Sequence, residues 1–175
     1  MMFRDLSTPI LLLKCISYDD ACFFYREFSN EDVNRYLFDA DPCSSEEEAQ
    51  EWIGFDMEPE PRNQQRWIIV RKETGESIGT CGFHCWNRET GEVEIGYDLY
   101  PSYWRQGYMT EALTQIIDFA KAEMRVKKVN AHSAAAATVF SPGKPLMHPA
   151  AHSLPPKHQH RSRQSCLQAL HPNNR

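Results

Sequence analysis

The chain of 175 residues is most easily read first through what it lacks. No apolar run approaches a membrane span; "PILLLKCI", residues 9–16, is far too short. The start lacks the basic residues and small-residue cleavage site of a secretory leader, so the expected location is cytoplasmic, with no membrane partner. Cysteines stand at 15, 22, 43, 81, 85 and 166 without the spacing of a disulfide framework, and they read as reduced thiols. Cys81, His84 and Cys85 cluster in sequence, yet no second ligand pair sits at zinc spacing. Neighbours on an ordinary strand explain them better, and no metal is expected.

Acid is missing from one end. All 24 Asp and Glu precede Ser133, so residues 1–132 carry a formal −10 and residues 133–175 a formal +5. That change of sign marks two unlike segments. The second has six of the eleven prolines, five of the seven histidines, an alanine run and one aromatic residue, Phe140. Such a composition buries little apolar surface and reads as a disordered basic tail. Its "KHQHRSR" has no interleaved aromatics, which argues against a nucleic-acid partner, and His158 with His160 makes no metal site.

The first 132 residues have the pattern of one domain with a real core. "PILLLKCI" reads as a strand and "ACFFYREF" as an amphipathic helix, with "NEDVNRYLF" a shorter helical piece. Ser44 with Glu47, or Ser45 with Glu48, fits a capping box before an acidic first turn. Pro59 and Pro61 stop that helix. The period then becomes two: "RWIIVRKETGESIGTCGFHCW" suggests two strands about Thr74-Gly75, and "EVEIGYDLY" a third. In the third, Val93, Ile95, Tyr97 and Leu99 alternate with Glu92, Glu94, Gly96 and Asp98. In "SYWRQGYMTEALTQIIDFA", Met109, Ala112, Leu113, Ile116, Ile117 and Ala120 define one apolar helix face. "VKKVNAH" then returns as a strand, completing a strand-helix-strand unit.

The glycine before that helix carries the chemistry. Glycine lets the backbone approach a ligand, the first helix amides have no internal partners, and the dipole favours an anion there. Arg105 adds a charge suited to phosphate and Thr110 a hydroxyl. By these residues alone, an anion-binding turn and an ordinary strand-to-helix turn stand equal.

"GEVEIGYDLYPSYWRQGYMTEALTQIIDFA" resembles the central motif of the GCN5-related N-acetyltransferases, nearest the branch that includes ribosomal-protein N-terminal acetyltransferases. "TPILLLKCISYDDA" and "GESIGTCGFHCWN" fit the same branch, and the resemblance spans roughly residues 8–132. It implies an α/β fold with a mixed, mainly antiparallel sheet flanked by helices. It also implies acetyl-CoA as cosubstrate and a primary amine, on a protein N-terminus or a small molecule, as acceptor. The family's turn reads Gln or Arg, two residues, Gly, one residue, then Gly or Ala. Here Trp104, Gly107 and Met109 occupy those places, with departures familiar from this branch. By position, the amides of Arg105, Gln106, Gly107, Tyr108, Met109 and Thr110 would contact the pyrophosphate, and backbone groups of Asp98, Leu99 and Tyr100 the pantetheine arm. Glu94 is the candidate base, with Glu92, Asp98 and His84 as competitors, and Tyr100 and Tyr103 are equal candidates to help at the thiolate.

The family continues past this point with an Asn/Ser turn, a helix and a "LGF"-like strand, none of which is recognisable after His132. The domain is therefore expected to end at 132, incomplete, with the C-terminal helix and strand absent. A reading-frame change near that codon would explain the abrupt switch, and the coding DNA tests it. Losing those elements would cost on the order of 10 kcal/mol of burial against a domain stability of about 5–15 kcal/mol. Two further consequences follow from the sequence: a homo-oligomer joined through an exposed sheet edge, or a non-catalytic CoA-binding remnant.

Overall fold

The computed structural model describes residues 2–35, 37, 41–131 and the backbone of 138–140. In chain order the strands are β1 (Leu6–Ser7), β2 (Leu11–Cys15), β3 (Gln65–Arg71), β4 (Ser77–Asn87), β5 (Glu92–Leu99), β6 (Lys128–Ala131) and β7 (Thr138–Phe140). The helices are α1 (Ala21–Phe28), α2 (Glu31–Asn34), α3 (Glu46–Asp56) and α4 (Tyr108–Ala122), with 3-10 turns at Tyr18–Asp20 and Pro101–Tyr103.

Local chemistry explains the helix ends. Asn30 caps α2 by accepting from the Asp32 and Val33 amides. Ser45 caps α3, accepting from the Glu48 amide at 3.2 Å, and Glu48 reaches back to the amide of Ser44 at 2.8 Å. Both serines of the expected capping box are thus used, one at each end of the exchange. α3 ends at Asp56, ahead of Pro59 and Pro61.

The strands form one sheet in sequence order, β1 to β7. Every neighbouring pair is antiparallel except β5 and β6, which run parallel from Glu92↔Lys128 to Ile95↔Ala131. A parallel neighbour needs a crossover, and α4 supplies it. The mixed, mainly antiparallel sheet that the sequence suggests is the one that forms. One strand lies past the boundary at 132: Thr138–Phe140 pairs antiparallel with β6. "TVF" is a triplet of β-branched and aromatic residues suited to a strand. The remaining expectations for 133–175 fall outside the described residues.

Both faces of the sheet are covered. On one, Leu11, Leu13, Trp67, Ile69, Val93 and Ile95 pack with Leu113, Ile116, Ile117 and Phe119 of α4. On the other, Ile16 and Ile68 pack with Phe24 and Phe28 of α1 and Ile53 of α3. β3 feeds both layers, so "WII" reads as a continuous apolar run rather than an alternation. The third strand departs from its expected pattern at two places. Tyr97 is 41% exposed although its parity matches Val93 and Ile95, and Asp98 is buried. Tyr97 pairs with Cys81 of β4 and stands beyond the last described residue that pairs with β6. Asp98 points to the second layer, beneath α1.

Cys15, Cys22, Cys43 and Cys81 carry free thiols, as the sequence suggests. Cys85 departs from that reading, being disulfide-bonded. No helix among the described residues is long and apolar enough to cross a membrane.

Ile116 is fully buried where α4 meets the sheet. Ile116→Ala is expected to lower unfolding free energy by about 2–5 kcal/mol in chemical denaturation. A loss below about 1 kcal/mol would contradict tight packing of α4 on the sheet.

Candidate active site

β5 is gripped along one edge and released along the other. Its pairing with β4 runs to Leu99↔Gly79, and a Cβ on Gly79 would come within 2.3 Å of the Asp98 carbonyl oxygen. Only glycine permits that approach. On the opposite edge the pairing with β6 stops at Ile95. Gly96 to Leu99 therefore run beside β4 past the last described pair with β6.

The chain leaves β5 through the 3-10 turn Pro101–Tyr103 and enters α4 by a strained turn. Arg105 (φ 61°) and Gly107 (φ 87°) are both left-handed. That conformation costs an L-residue about 1–2 kcal/mol, so Arg105 stores strain and Gly107 avoids it. A Cβ on Gly107 would meet nothing within 4 Å; the backbone angle, not crowding, requires glycine. Gly107 is the N-cap and no side chain caps the helix there. The first intrahelical bond runs from the Glu111 amide to the Gly107 carbonyl at 3.0 Å, which leaves the amides of Tyr108, Met109 and Thr110 at an uncapped, positive helix end. Arg105, Gln106, Gly107 and Thr110 are exposed, and Tyr108 and Met109 half-buried.

Two side chains tie this turn down. The Trp104 indole N–H donates to the Leu99 carbonyl at 2.7 Å, and the Gln106 amide donates to the Ser102 carbonyl at 2.7 Å. Trp104 stands in the family's Gln/Arg place and acts as a strap from the turn to the end of β5. The Tyr100 amide donates to the Ile78 carbonyl at 3.0 Å, so that part of the strand faces β4.

Asp98, expected from the sequence through its backbone or as a rival base, has an engaged side chain. It accepts from the Thr80 amide at 3.0 Å and the Thr80 hydroxyl at 2.7 Å, with Arg66 at 3.5 Å. Arg66 also faces Asp56 at 3.5 Å and lies over the Phe28 ring at 5.6 Å. A carboxylate so enclosed is not available to an incoming amine. Beside it lies Glu27 of α1, fully buried, whose two carboxyl oxygens meet no N–H or O–H donor among the described residues. Burial first, and then the charge of Asp98, push Glu27 well above the carboxylate range. Two ionised carboxylates are both acceptors, so this pair holds together only with a proton on Glu27, donated toward Asp98. Nothing in the sequence points to Glu27, which reads there as one polar residue on an amphipathic helix.

Glu94 is half-buried on β5, with a carboxylate oxygen 3.1 Å from His84 Nε2 on β4. The structure thus brings together two of the four candidates for the base. Glu92 lies apart from them, paired with Lys128 at 3.2 Å. His84, Cys85 and Glu94 place ligand-type atoms within 4.8 Å of one another, but the disulfide at Cys85 removes the thiolate a cation would use. Tyr100 packs edge to face on Phe23 at 6.0 Å. Its phenol is pushed up to about 12 by burial and then by Glu27. Tyr103 is raised by its hydrogen bond with Glu76.

A mixed sheet with one parallel pair, and a crossover helix whose start no side chain caps, frames these residues. The family follows from comparison with known proteins. Residues 11–137 match the family described as "Acetyltransferase (GNAT) domain". The chain is 32% identical over 131 residues to the uncharacterized N-acetyltransferase YoaA of Bacillus subtilis, covering 74% of this chain and 73% of that one. It is 32% identical over 129 residues to the uncharacterized N-acetyltransferase p20 of Bacillus licheniformis, covering 73% and 72%. Among solved structures, spermidine N-acetyltransferase from Vibrio cholerae, in complex with CoA and spermine, shares the fold with a TM-score of 0.65 at 17% identity, covering 73% of each chain. The chain belongs to the GNAT acetyltransferase family.

Glu27 makes stability pH-dependent. Its proton-linked contribution is fully present below the ordinary value of 4.5 and is lost as pH rises through the raised folded-state pKa. Wild type is expected to lose up to about 1.4 kcal/mol per pH unit across that window, while Glu27→Gln, neutral throughout, stays flatter. Denaturation at a series of pH values checks this; parallel profiles would contradict a protonated Glu27.

Proposed function

We propose that this acetyltransferase moves the acetyl group of acetyl-CoA to a primary amine, on a protein N-terminus or a small molecule. The observation that carries this reading is the uncapped start of α4, entered from the end of β5 through a turn with two left-handed residues. The pyrophosphate lies against the turn from Arg105 through Gln106, Gly107, Tyr108 and Met109 to Thr110, where amides and helix dipole favour negative charge. The pantetheine arm runs along Asp98, Leu99 and Tyr100 as an added strand would. The Leu99 carbonyl already accepts from Trp104, so the Leu99 amide is the group on that residue left for the arm.

The amine nitrogen attacks the thioester carbonyl, and a tetrahedral oxyanion forms and needs an N–H donor. The C–S bond then breaks, and the sulfur leaves as thiolate or takes a proton. An amine arrives protonated near neutral pH, so a base must first free its lone pair. Glu94 fills that role, with His84 at 3.1 Å to orient it or relay the proton. Asp98 is the weaker candidate base because Thr80 engages both of its carboxylate oxygens, and Tyr100 or Tyr103 would serve at the leaving thiolate. The net acid of residues 1–132 favours a cationic acceptor by steering. A cytoplasmic location fits the cosubstrate.

Calorimetry with acetyl-CoA, followed by thiol release with a panel of amines, tests the reading. Binding with turnover supports it. Binding without turnover on any amine would favour the non-catalytic remnant, and no binding would sink both. Glu94→Gln is expected to lower kcat/KM by about 10²-fold or more with CoA affinity unchanged; wild-type rates in that variant would remove Glu94 from the mechanism.

A further inference from the structure

Arg71 ends β3 with its side chain toward α4. Its backbone is fixed on both sides, by pairing with Leu11 of β2 and by donating to the Glu76 carbonyl across the β3–β4 turn at 2.9 Å. Its guanidinium carbon lies 5.8 Å from the centroid of the Tyr103 ring and 5.7 Å from that of Tyr108. The two rings meet edge to face at 6.1 Å. Tyr103 is the last residue before the strained turn, and Tyr108 is the first residue of α4 after it. One cation on the rigid sheet therefore touches both ends of the segment that holds Arg105 and Gly107. Its own charge is answered by Glu73 at 2.8 Å and Glu76 at 3.9 Å, so its part is to hold rings rather than to present charge to solvent.

We propose that Arg71 is a positioning residue for the CoA site, a brace that holds the two ends of the cofactor turn in register before CoA arrives. This rests on the reading of that turn as the pyrophosphate site. A turn with two left-handed residues one apart, Arg105 and Gly107, relaxes unless its surroundings determine it. Without the brace, ordering falls on the binding step, and affinity drops while the reacting groups on β4 and β5 are untouched. Lysine does not replace the brace, because a flexible ammonium lacks the flat face that lies against two rings at once.

The test is calorimetric titration of the full chain with CoA, using wild type, Arg71→Gln, Arg71→Lys and the control Glu73→Gln, whose side chain is 80% exposed. Steady-state kinetics in acetyl-CoA accompany it. Both Arg71 variants are expected to weaken CoA by about tenfold, the scale of a lost two-ring cation contact. KM for acetyl-CoA rises with them, kcat stays level, and Glu73→Gln matches wild type. CoA affinity in Arg71→Gln equal to wild type would overturn the proposal, even with a lower melting temperature. Full affinity in Arg71→Lys would overturn the brace in favour of charge alone. If Arg71→Gln does not fold, Arg71→Lys decides. Failure of wild type to bind CoA refutes the underlying reading of the turn, an outcome separate from a null effect at Arg71.

Discussion

The structure depends on the unequal treatment of the two edges of β5. One edge is paired with β4 to Leu99, and the other with β6 only to Ile95. Because β6 is parallel, the chain must cross over between them, and α4 is the crossover. A crossover helix begins near the carboxyl end of the strand it follows. That geometry sets an uncapped run of amides near the carboxyl end of β5, in the manner of ligand sites at strand carboxyl ends in other α/β sheets. Strand edge and helix start are thus delivered together by a single topological fact.

Packing on both faces holds the sheet and α4 in place. Trp67, fully buried, meets Phe3, Phe83 and Phe119 edge-on at about 6 Å, which locks the sheet beneath α4. Under the other face, Arg66 joins Asp56 and Asp98 and so links α3 to β5. The buried carboxyl of Glu27 works against stability, since a buried acid must keep its proton to stay there. Strain at Arg105 is a second such cost. Glu27 lies beside Asp98 of β5, and Arg105 lies between β5 and α4.

Much of this arrangement was legible in the residues. Val93, Ile95 and Leu99 marked the buried face of β5, and Gly107 before an apolar helical face marked the turn. What stayed hidden needed the third dimension. "ACFFYREF" shows an amphipathic helix, but not that Glu27 looks inward at Asp98. Alternation put Tyr97 inside and Asp98 outside; the structure leaves the first exposed, and the layer of α1 and α3 buries the second. Position in the motif located Trp104, but only coordinates show its indole bound back to Leu99. The Glu94–His84 pair is a cross-strand contact, visible once register is known. Beyond 132 the sequence offered no pattern, and the short pairing of "TVF" with β6 is too brief to leave one.

The central claim is that anions of CoA meet the amides at the start of α4. Backbone amide NMR shifts during titration with CoA address it most directly. The account predicts the largest, saturating shifts at Gly107 to Thr110, with smaller ones at Leu99. Saturating shifts centred elsewhere, for example on the cleft of about 490 Å³ lined by Trp86, Arg88 and Arg125 at the opposite end of α4, with Gly107 to Thr110 unmoved, would contradict it.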